Sequence, residues 1–295
     1  MNFKDLKKLI QNISSNNFDL ATQKLQKVIF ALDKKELIDI ILDIGTIPED
    51  IPHDSTEEKL FSKATDIVLA KTFRELGLKS TVNKGRANCA DVVAKSEKYG
   101  YSLVADAKAF RLSRTAKNQK DFKVKSMSDW KGDNDFAVLV CPYYQYPKSN
   151  SQIYGQALDN NICLLSWEHL LLFLNNSINE NNNVNLSKIW DISNELASTV
   201  SVKNKDANDN FHLKGNSIIC KYLKIDQNVL NSQLKRCREA TIVRGKEEII
   251  FWEEKIKEVN TYSKQRAIKE LLKALKLKEK ISAINKYISL IENNK

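Results

Sequence analysis

Asp106 and Lys108 are the residues whose types and spacing first indicate chemistry. They stand two positions apart in a predicted strand over 101–108, so both side chains point to the same face of that strand. A second predicted strand over 90–94 contains Asp91, and the polar residues 96–100 between the strands suit a hairpin turn. Antiparallel pairing of the two strands would place Asp91 beside Asp106.

Two neighbouring carboxylates and a lysine supply groups that phosphodiester hydrolysis needs. Carboxylate oxygens are hard ligands of the kind that Mg²⁺ prefers, with water in the remaining positions. A lysine beside them could orient an attacking water and stabilise the charge that develops on a phosphate. Spacing alone also allows a second interpretation, an exposed ion pair at a strand edge that contributes about 0–1 kcal/mol.

The residues that follow Lys108 are rich in hydrogen-bond donors. Residues 101–130 contain seven Lys and Arg against three Asp. Arginine, lysine and amide side chains contact base edges and also bind phosphates, although a solvated basic loop would have a similar composition. From donor type we predict that Asn118 and Lys120 contact bases and that Arg114 and Lys117 contact phosphates. We expect Lys123 and Lys125 to belong to the same DNA-binding surface.

Three segments resemble the HindIII-type type II restriction endonucleases. They are residues 103–125 around Asp106, residues 55–71 and residues 151–170, so the resemblance is clearest over about 50–175. It implies a nuclease of the PD-(D/E)-x-K fold. In that pattern Asp91 is the first aspartate, Asp106 the second acid and Lys108 the lysine, with Asp91 and Asp106 as the ligands of Mg²⁺. Ala90 stands where the idealised pattern has proline.

The same resemblance implies the substrate and the assembly. It implies a Mg²⁺-dependent enzyme that cuts double-stranded DNA at a palindrome, AAGCTT after the first A, to leave four-base 5′ overhangs. A homodimer suits such a target because each subunit meets one half-site and cuts one strand. A cognate DNA methyltransferase is the expected functional companion.

Two alternatives to this function stay open on the sequence. One is a non-specific or repair nuclease of the same fold, and the other is a non-enzymatic DNA-binding protein. The intact Asp106-x-Lys108 argues against the second, since a pure binding protein gains nothing from a carboxylate that faces phosphate.

Glu58 has two possible roles. Ser55 and Glu58 fit the S-x-x-E capping box at the start of a predicted helix that runs to about 76. In the fold class that the resemblance implies, an acid from the helix before the hairpin often reaches the metal site. Glu58 is therefore also a candidate catalytic residue.

Composition bounds the partners and the compartment. The 295-residue chain has 47 Lys and Arg against 37 Asp and Glu, a net charge of +10 that indicates nucleic acid or an anionic surface as partner. The five separated cysteines form no C-x-x-C pair, which indicates reduced thiols in a cytoplasmic protein. We see no signal peptide, and the apolar stretch 162–174 is too short to span a membrane, so we expect no membrane partner.

The elements that must position the acids are strands mixed with helices. The chain has only 8 glycines and 4 prolines, and this scarcity disfavours an all-β fold, which needs many tight turns. The apolar runs 136–140 and 162–165 are typical of strands buried on both faces. We predict an α/β (α+β) class, with a restriction-endonuclease-like mixed β-sheet core flanked by helices and with helical N-terminal and C-terminal extensions.

The predicted domains are an N-terminal helical segment at 1–50, an endonuclease catalytic core at 51–176 and a helical C-terminal region at 177–295 for dimer or DNA contacts. The Asn-rich stretch from about 176 is the predicted linker. Residues 261–280 are basic, which suits a phosphate clamp, a dimer arm or a solvated amphipathic helix.

Overall fold

A computed structural model describes residues 1–83, 89–114, 119–147, 151–200 and 207–292. These residues form the predicted mixture of helices and strands. The helices of the N-terminal part and the core are α1 Phe3–Ile13, α2 Phe18–Phe30, α3 Lys34–Ile44, α4 Thr56–Glu75, α5 Gln119–Phe122, α6 Val124–Lys131, α7 Gln152–Asp159 and α8 Trp167–Asn175. The later helices are α9 Ser187–Trp190, α10 Ile192–Ala197, α11 Ala207–Leu223, α12 Gln227–Asn260, α13 Lys264–Ala274 and α14 Leu277–Glu292.

Five strands form one mixed sheet in chain order. They are β1 Lys79–Val82, β2 Val92–Ser96, β3 Tyr101–Ala107, β4 Phe136–Cys141 and β5 Ile162–Ser166. The first three strands pair antiparallel, and β4 and β5 continue the sheet in parallel with β3. The hairpin between β2 and β3 is confirmed, with Ser96 opposite Tyr101 and with Gly100 at φ +69° in the turn. Strand β1 was not predicted, because four residues with one buried side chain give little periodicity.

The middle strand, β3, is covered on both sides. Its residues from Leu103 to Ala107 are all buried, as expected for a strand that helices cover on both faces. Helix α4 packs on β1, β2 and β3, while α6 packs on β3, β4 and β5. A polar side chain near the end of β3 is therefore shielded from water unless a cleft opens beside it.

Helix α4 begins and ends where its sequence indicates. Ser55 is the N-cap, and its hydroxyl accepts a hydrogen bond of 3.1 Å from the backbone N–H of Glu58. Gly77 follows the helix at φ +90°, where a Cβ would lie 2.7 Å from the side-chain oxygen of Asn179. Eleven residues of α4 are buried, so this helix is held firmly against the sheet.

The Asn-rich stretch after α8 is attached to the sheet and is not an extended linker. Glu180 is fully buried, and its carboxylate accepts hydrogen bonds from the Ser96 hydroxyl and, at 2.5 Å, from the Tyr101 hydroxyl. Asn179 donates a hydrogen bond of 2.7 Å to the carbonyl of Glu75. The asparagine content predicted a linker, whereas the Asn179 side chain satisfies a backbone carbonyl at the end of α4.

The chain divides into two structural units, Met1–Gly245 and Lys246–Lys295. The first unit contains the sheet and α1 to α11. In the second unit, α13 has no buried side chain, and α14 carries exposed Ile281 and Ile284. The predicted boundaries at 50 and 176 stay predictions.

Two further expectations concern cysteines and membranes. All five cysteines are free thiols, and all except Cys89, which is half-buried, are buried. Among the described helices, none combines the length and the apolar character that crossing a bilayer requires.

Candidate active site

The register of the hairpin brings Asp91 and Asp106 together. Val92 pairs with Ala105 in the antiparallel ladder, so Asp91 and Asp106 occupy the next pair of positions. The backbone N–H of Asn83 donates a hydrogen bond of 2.8 Å to the carbonyl of Asp91, which extends the β1–β2 pairing by one residue. The Asp91 side chain is 40% exposed, whereas that of Asp106 is 2% exposed.

Asp66 on α4 adds a third carboxylate that the sequence analysis missed. One carboxylate oxygen from each of Asp66, Asp91 and Asp106 lies within 4.8 Å of the others. A signal for Asp66 was present in the sequence, because this acid interrupts the otherwise uncharged run 64–70 on a buried helix face. Buried carboxylates are rare unless they are paired or bind metal.

Lys108 is held by its backbone and by Asp106. Its ammonium donates a hydrogen bond of 2.5 Å to Oδ2 of Asp106, and its side chain is 12% exposed. Its backbone N–H donates to Val140, and its carbonyl accepts a hydrogen bond of 3.0 Å from the indole of Trp167. The lysine is thus fixed beside the carboxylates before any ligand binds.

These groups line one cleft of 860 Å³. Helix α2 forms part of its wall with Phe18, Thr22, Gln23 and Gln26, and Lys63 of α4 lies at its acidic end. An opening of this size leaves room for a polyanionic ligand to reach the acids.

The electrostatics of the cluster favour a cation. Burial, and next the charge of Asp91, raise the pKa of Asp66 well above its usual range, while Lys63 opposes this shift. Burial also raises the pKa of Asp106, and Lys108 opposes that shift. Three carboxylate oxygens at this spacing are a donor set that fits a hard divalent cation.

Glu58 lies apart from the three-carboxylate cluster. Oε1 of Glu58 forms an ion pair of 2.7 Å with Arg111, and Oε2 accepts a hydrogen bond of 2.8 Å from the backbone N–H of Asp54. Burial raises the pKa of Glu58. The hydrogen bonds from Arg111 and Asp54 lower it by a larger amount, so the pKa of Glu58 lies below its usual value. Ser55 is the N-cap, as predicted. The second half of the capping box differs, because the Glu58 carboxylate accepts its hydrogen bond from the backbone N–H of Asp54 and not from that of Ser55. A catalytic role for Glu58 stays a prediction.

Arg111 is a second residue that the sequence analysis did not single out. It is 3% exposed, and it donates to the carbonyl of Pro48 at 2.8 Å as well as to Glu58. Nearby, Glu49 accepts hydrogen bonds from the backbone N–H of Ser113 at 3.0 Å and from its hydroxyl at 2.8 Å. These contacts fasten the start of the basic segment to residues 48–58.

The predicted DNA-binding residues differ in their contacts and in their place relative to the cleft. Arg114 pairs with Asp121 at 2.5 Å and lies 5.6 Å from the ring centre of Phe110. Lys123 is exposed and lines the cleft. The side chains of Lys120 and Lys125 are exposed, whereas Lys117 and Asn118 lie outside the described residues.

A lysine and three carboxylates at the end of the central strand form the type of site that metal-dependent nucleases use. The HindIII restriction endonuclease family matches residues 2–288 of the chain. The type II restriction enzyme HindIII of Haemophilus influenzae (strain ATCC 51907 / DSM 11121 / KW20 / Rd) is 42% identical over 286 residues, which are 97% of this chain and 95% of that protein. The chain belongs to the HindIII restriction endonuclease family.

This membership confirms the predicted class, a type II restriction endonuclease. It also extends the resemblance beyond residues 50–175, since the match includes the C-terminal third. Two solved structures of the restriction endonuclease FokI, one of them bound to DNA, are 12% identical to this chain with TM-scores of 0.38 and 0.37. Each covers 61% of this chain, which spans about a third of the FokI chains (34% and 33%).

Proposed function

We propose that this protein hydrolyses phosphodiester bonds of double-stranded DNA at the palindrome AAGCTT, after the first A, with Mg²⁺ as cofactor. The observation that carries the chemistry is the placement of Asp66, Asp91 and Asp106 around one point, with Lys108 beside them. The target sequence is inferred from family membership, at 42% identity to the HindIII enzyme.

The three aspartates are the residues that would hold Mg²⁺. When bound, Mg²⁺ would supply Lewis-acid chemistry at a phosphoryl oxygen. Lys108 stabilises negative charge on the scissile phosphate and orients the attacking water. An ammonium has three donors, and Asp106 is the side-chain partner of Lys108 among the described residues, which leaves donors for water and phosphate. Asp106 fixes the direction in which the ammonium points.

The basic segment supplies the DNA contacts in this proposal. Lys123 lines the cleft beside Lys108, so it contacts a phosphate near the scissile bond. Arg114, Lys117 and Lys125 bind neighbouring phosphates, and Asn118 and Lys120 read bases. The basic net charge of +10 supports binding to a polyanion.

A homodimer is the proposed assembly, because the described residues of each chain hold one cluster of this kind, which would cut one strand of a palindrome. Its support is the apolar surface of the second structural unit. Ile268, Leu271 and Leu272 of α13 and its C-cap residue Leu275 recur at helical spacing, and all four are exposed. We further propose a cytoplasmic location, where cellular DNA is the substrate, and a cognate methyltransferase that protects the host sites.

Digestion of a fully sequenced DNA with the purified protein, in Mg²⁺ and in EDTA, tests the proposal. Discrete Mg²⁺-dependent fragments that end at AAGCTT support both the chemistry and the target. Discrete fragments at another sequence reject the target, and a smear rejects site specificity. Tight binding without cleavage in either condition rejects the enzyme activity.

A further inference from the structure

Trp167 is a buried side chain that contacts the backbone of Lys108. It is 2% exposed, and it is the first residue of α8, directly after β5. Its indole N–H donates a hydrogen bond of 3.0 Å to the carbonyl of Lys108. The proposed mechanism uses the Lys108 ammonium, and it assigns no role to this backbone contact.

The contact lies where the ladder between β3 and β4 ends. Ala107 pairs with Val140, and the backbone N–H of Lys108 donates a hydrogen bond of 2.7 Å to the Val140 carbonyl. In a parallel ladder the carbonyl of Lys108 would next accept from the backbone N–H of residue 142. Residue 142 is proline, which has no backbone N–H. The indole of Trp167 therefore supplies the donor that the ladder lacks at this position.

The indole is itself held in place. The hydroxyl of Ser166 accepts a hydrogen bond of 3.2 Å from the backbone N–H of His169, which fixes the start of α8. On the other side, a Cβ at Gly45 would lie 2.8 Å from Cδ1 of Trp167. The φ of Gly45 is −71°, an angle that any residue adopts, so the close approach of the indole is what requires glycine here.

The backbone after Lys108 is paired as well. The N–H of Phe110 donates a hydrogen bond of 3.1 Å to the carbonyl of Gly45, and its carbonyl accepts one of 3.2 Å from the N–H of Ile47. The N–H and the carbonyl of Lys108 flank its Cα, so fixing both of them fixes the direction in which its side chain leaves the backbone. The contact of 2.5 Å with Asp106 then sets the far end of that side chain.

We propose that Trp167 is a positioning residue, whose indole N–H fixes the backbone of Lys108 and so directs the ammonium at the scissile phosphate. This inference rests on the proposed function, because it assumes that Lys108 acts on the phosphate. A misplacement of about 1 Å at a reacting group costs about 10²-fold in rate. Loss of the indole N–H should therefore slow the chemical step and leave the DNA-binding surface unchanged.

The test removes the indole N–H and keeps the shape of the ring. Benzothienylalanine, in which sulfur replaces the indole N–H, is placed at position 167 of the full-length protein, and Trp167→Phe is the second variant. Trp190 provides the matched control, because it is fully buried and its indole donates a hydrogen bond of 2.7 Å to the hydroxyl of Tyr101. Tyr101 is the first residue of β3, so this bond lies at the end of the strand opposite Lys108.

The measurements are the single-turnover rate in Mg²⁺ and the Kd, both on one duplex that the wild type cleaves. We expect benzothienylalanine at position 167 to lower the rate by about 10-fold or more, with a Kd within about 2-fold of the wild type. The same replacement at position 190 should leave both values near those of the wild type. If Trp167→Phe does not fold, the benzothienylalanine protein decides, since its ring fills the same space.

A wild-type cleavage rate with benzothienylalanine at position 167 would overturn the inference. An equal loss of rate from the replacement at position 190 would also overturn it, because the effect would then be a general one on the fold. So would a weaker Kd with an unchanged rate. Failure of the proposed function is distinguishable, since the wild type would then cleave no duplex or K108A would cleave as fast as the wild type.

Discussion

Asp66 of α4 and Asp106 of β3 present carboxylate oxygens within 4.8 Å of one another in the core of the first structural unit. Both side chains are almost fully buried, with 8% and 2% exposure. Holding two carboxylates this close in a shielded position is unfavourable without a compensating cation. Burial therefore raises the pKa of both acids, and Lys63 and Lys108 offset only part of this cost.

Asp66→Asn tests whether the buried Asp66 carboxylate lowers stability and is needed for cleavage. We expect cleavage to fall by about 10²-fold or more, since removal of even an outer-shell partner of a metal site costs 10–100-fold. The free energy of unfolding should rise at pH 7, because burial raises the pKa of Asp66 by penalising its charged form and the amide carries no charge. Denaturant titration and a cleavage assay measure both effects.

Asp19→Asn is the matched control for D66N, because Asp19 is an exposed acid that lines the same cleft. It should change neither the unfolding free energy nor Mg²⁺-dependent cleavage by a large factor. Full activity in D66N would remove Asp66 from the site.

Lys108→Ala should separate binding from cleavage. The variant loses the ammonium that hydrogen-bonds Asp106 and that we propose to stabilise the scissile phosphate, so we expect cleavage to fall by about 10²–10³-fold. DNA binding should persist, because the basic segment is unchanged. Gel-shift and cleavage assays on one duplex distinguish the two, and near-normal cleavage would contradict the assignment of Lys108.

Glu58→Gln decides between the two roles of Glu58. The structure pairs this carboxylate with Arg111 at 2.7 Å, so the substitution should weaken an ion pair and lower stability by about 1–2 kcal/mol. Cleavage at a temperature well below the unfolding midpoint should stay within a few fold of the wild type. A loss as large as that of D66N, with Mn²⁺ affinity reduced, would instead place Glu58 in the metal site.

Buried His169 and His212 predict loss of stability in mild acid. Burial lowers the pKa of His169 to about 4 and that of His212 to about 3, and the charge of His169 lowers the latter further. The unfolded chain binds these protons at an ordinary pKa of about 6.5. The stabilisation is therefore complete above pH 6.5 and is lost as the pH falls towards 4 and 3.

When the pH falls from 7 to 5, each of these histidines should lower the free energy of unfolding by about 2 kcal/mol. His212→Leu should reduce this pH dependence, because it removes one of the two buried imidazoles. Leucine suits the position, since the His212 ring lies among the side chains of Tyr143, Tyr146 and Tyr154. Denaturant titrations at the two pH values measure the difference, and equal stability at both would contradict the prediction.

Asn118→Ala tests the proposed reading of bases. The three aspartates proposed to hold Mg²⁺ are unchanged in this variant, so Mg²⁺-dependent chemistry should persist while sequence preference is relaxed or lost. Digestion of sequenced DNA compares the fragment ends of the two proteins. An unchanged rate together with an unchanged preference would assign base recognition to other residues.

Much of the fold could be predicted because its signals are local. Apolar spacing on α1 to α4 and the hairpin between β2 and β3 follow from residue order alone. The hairpin also accounts for the Asp91–Asp106 pair, since a short turn fixes the register and thus which residues face each other. The Asp106-x-Lys108 pair needs only the alternation of a strand.

The remainder depends on contacts between segments that are distant in the sequence. Asp66 and Lys63 join the site only because α4 packs across β1, β2 and β3, and nothing local to residues 60–70 specifies which strand they meet. Arg111 likewise finds Glu58 and Pro48 through the path of the chain after β3. The pairing of the two aspartates and the placement of the lysine follow from the sequence alone, because hairpin and strand geometry are local. The third carboxylate and the second lysine depend on the tertiary structure, because helix-on-sheet packing joins segments that are distant in the sequence.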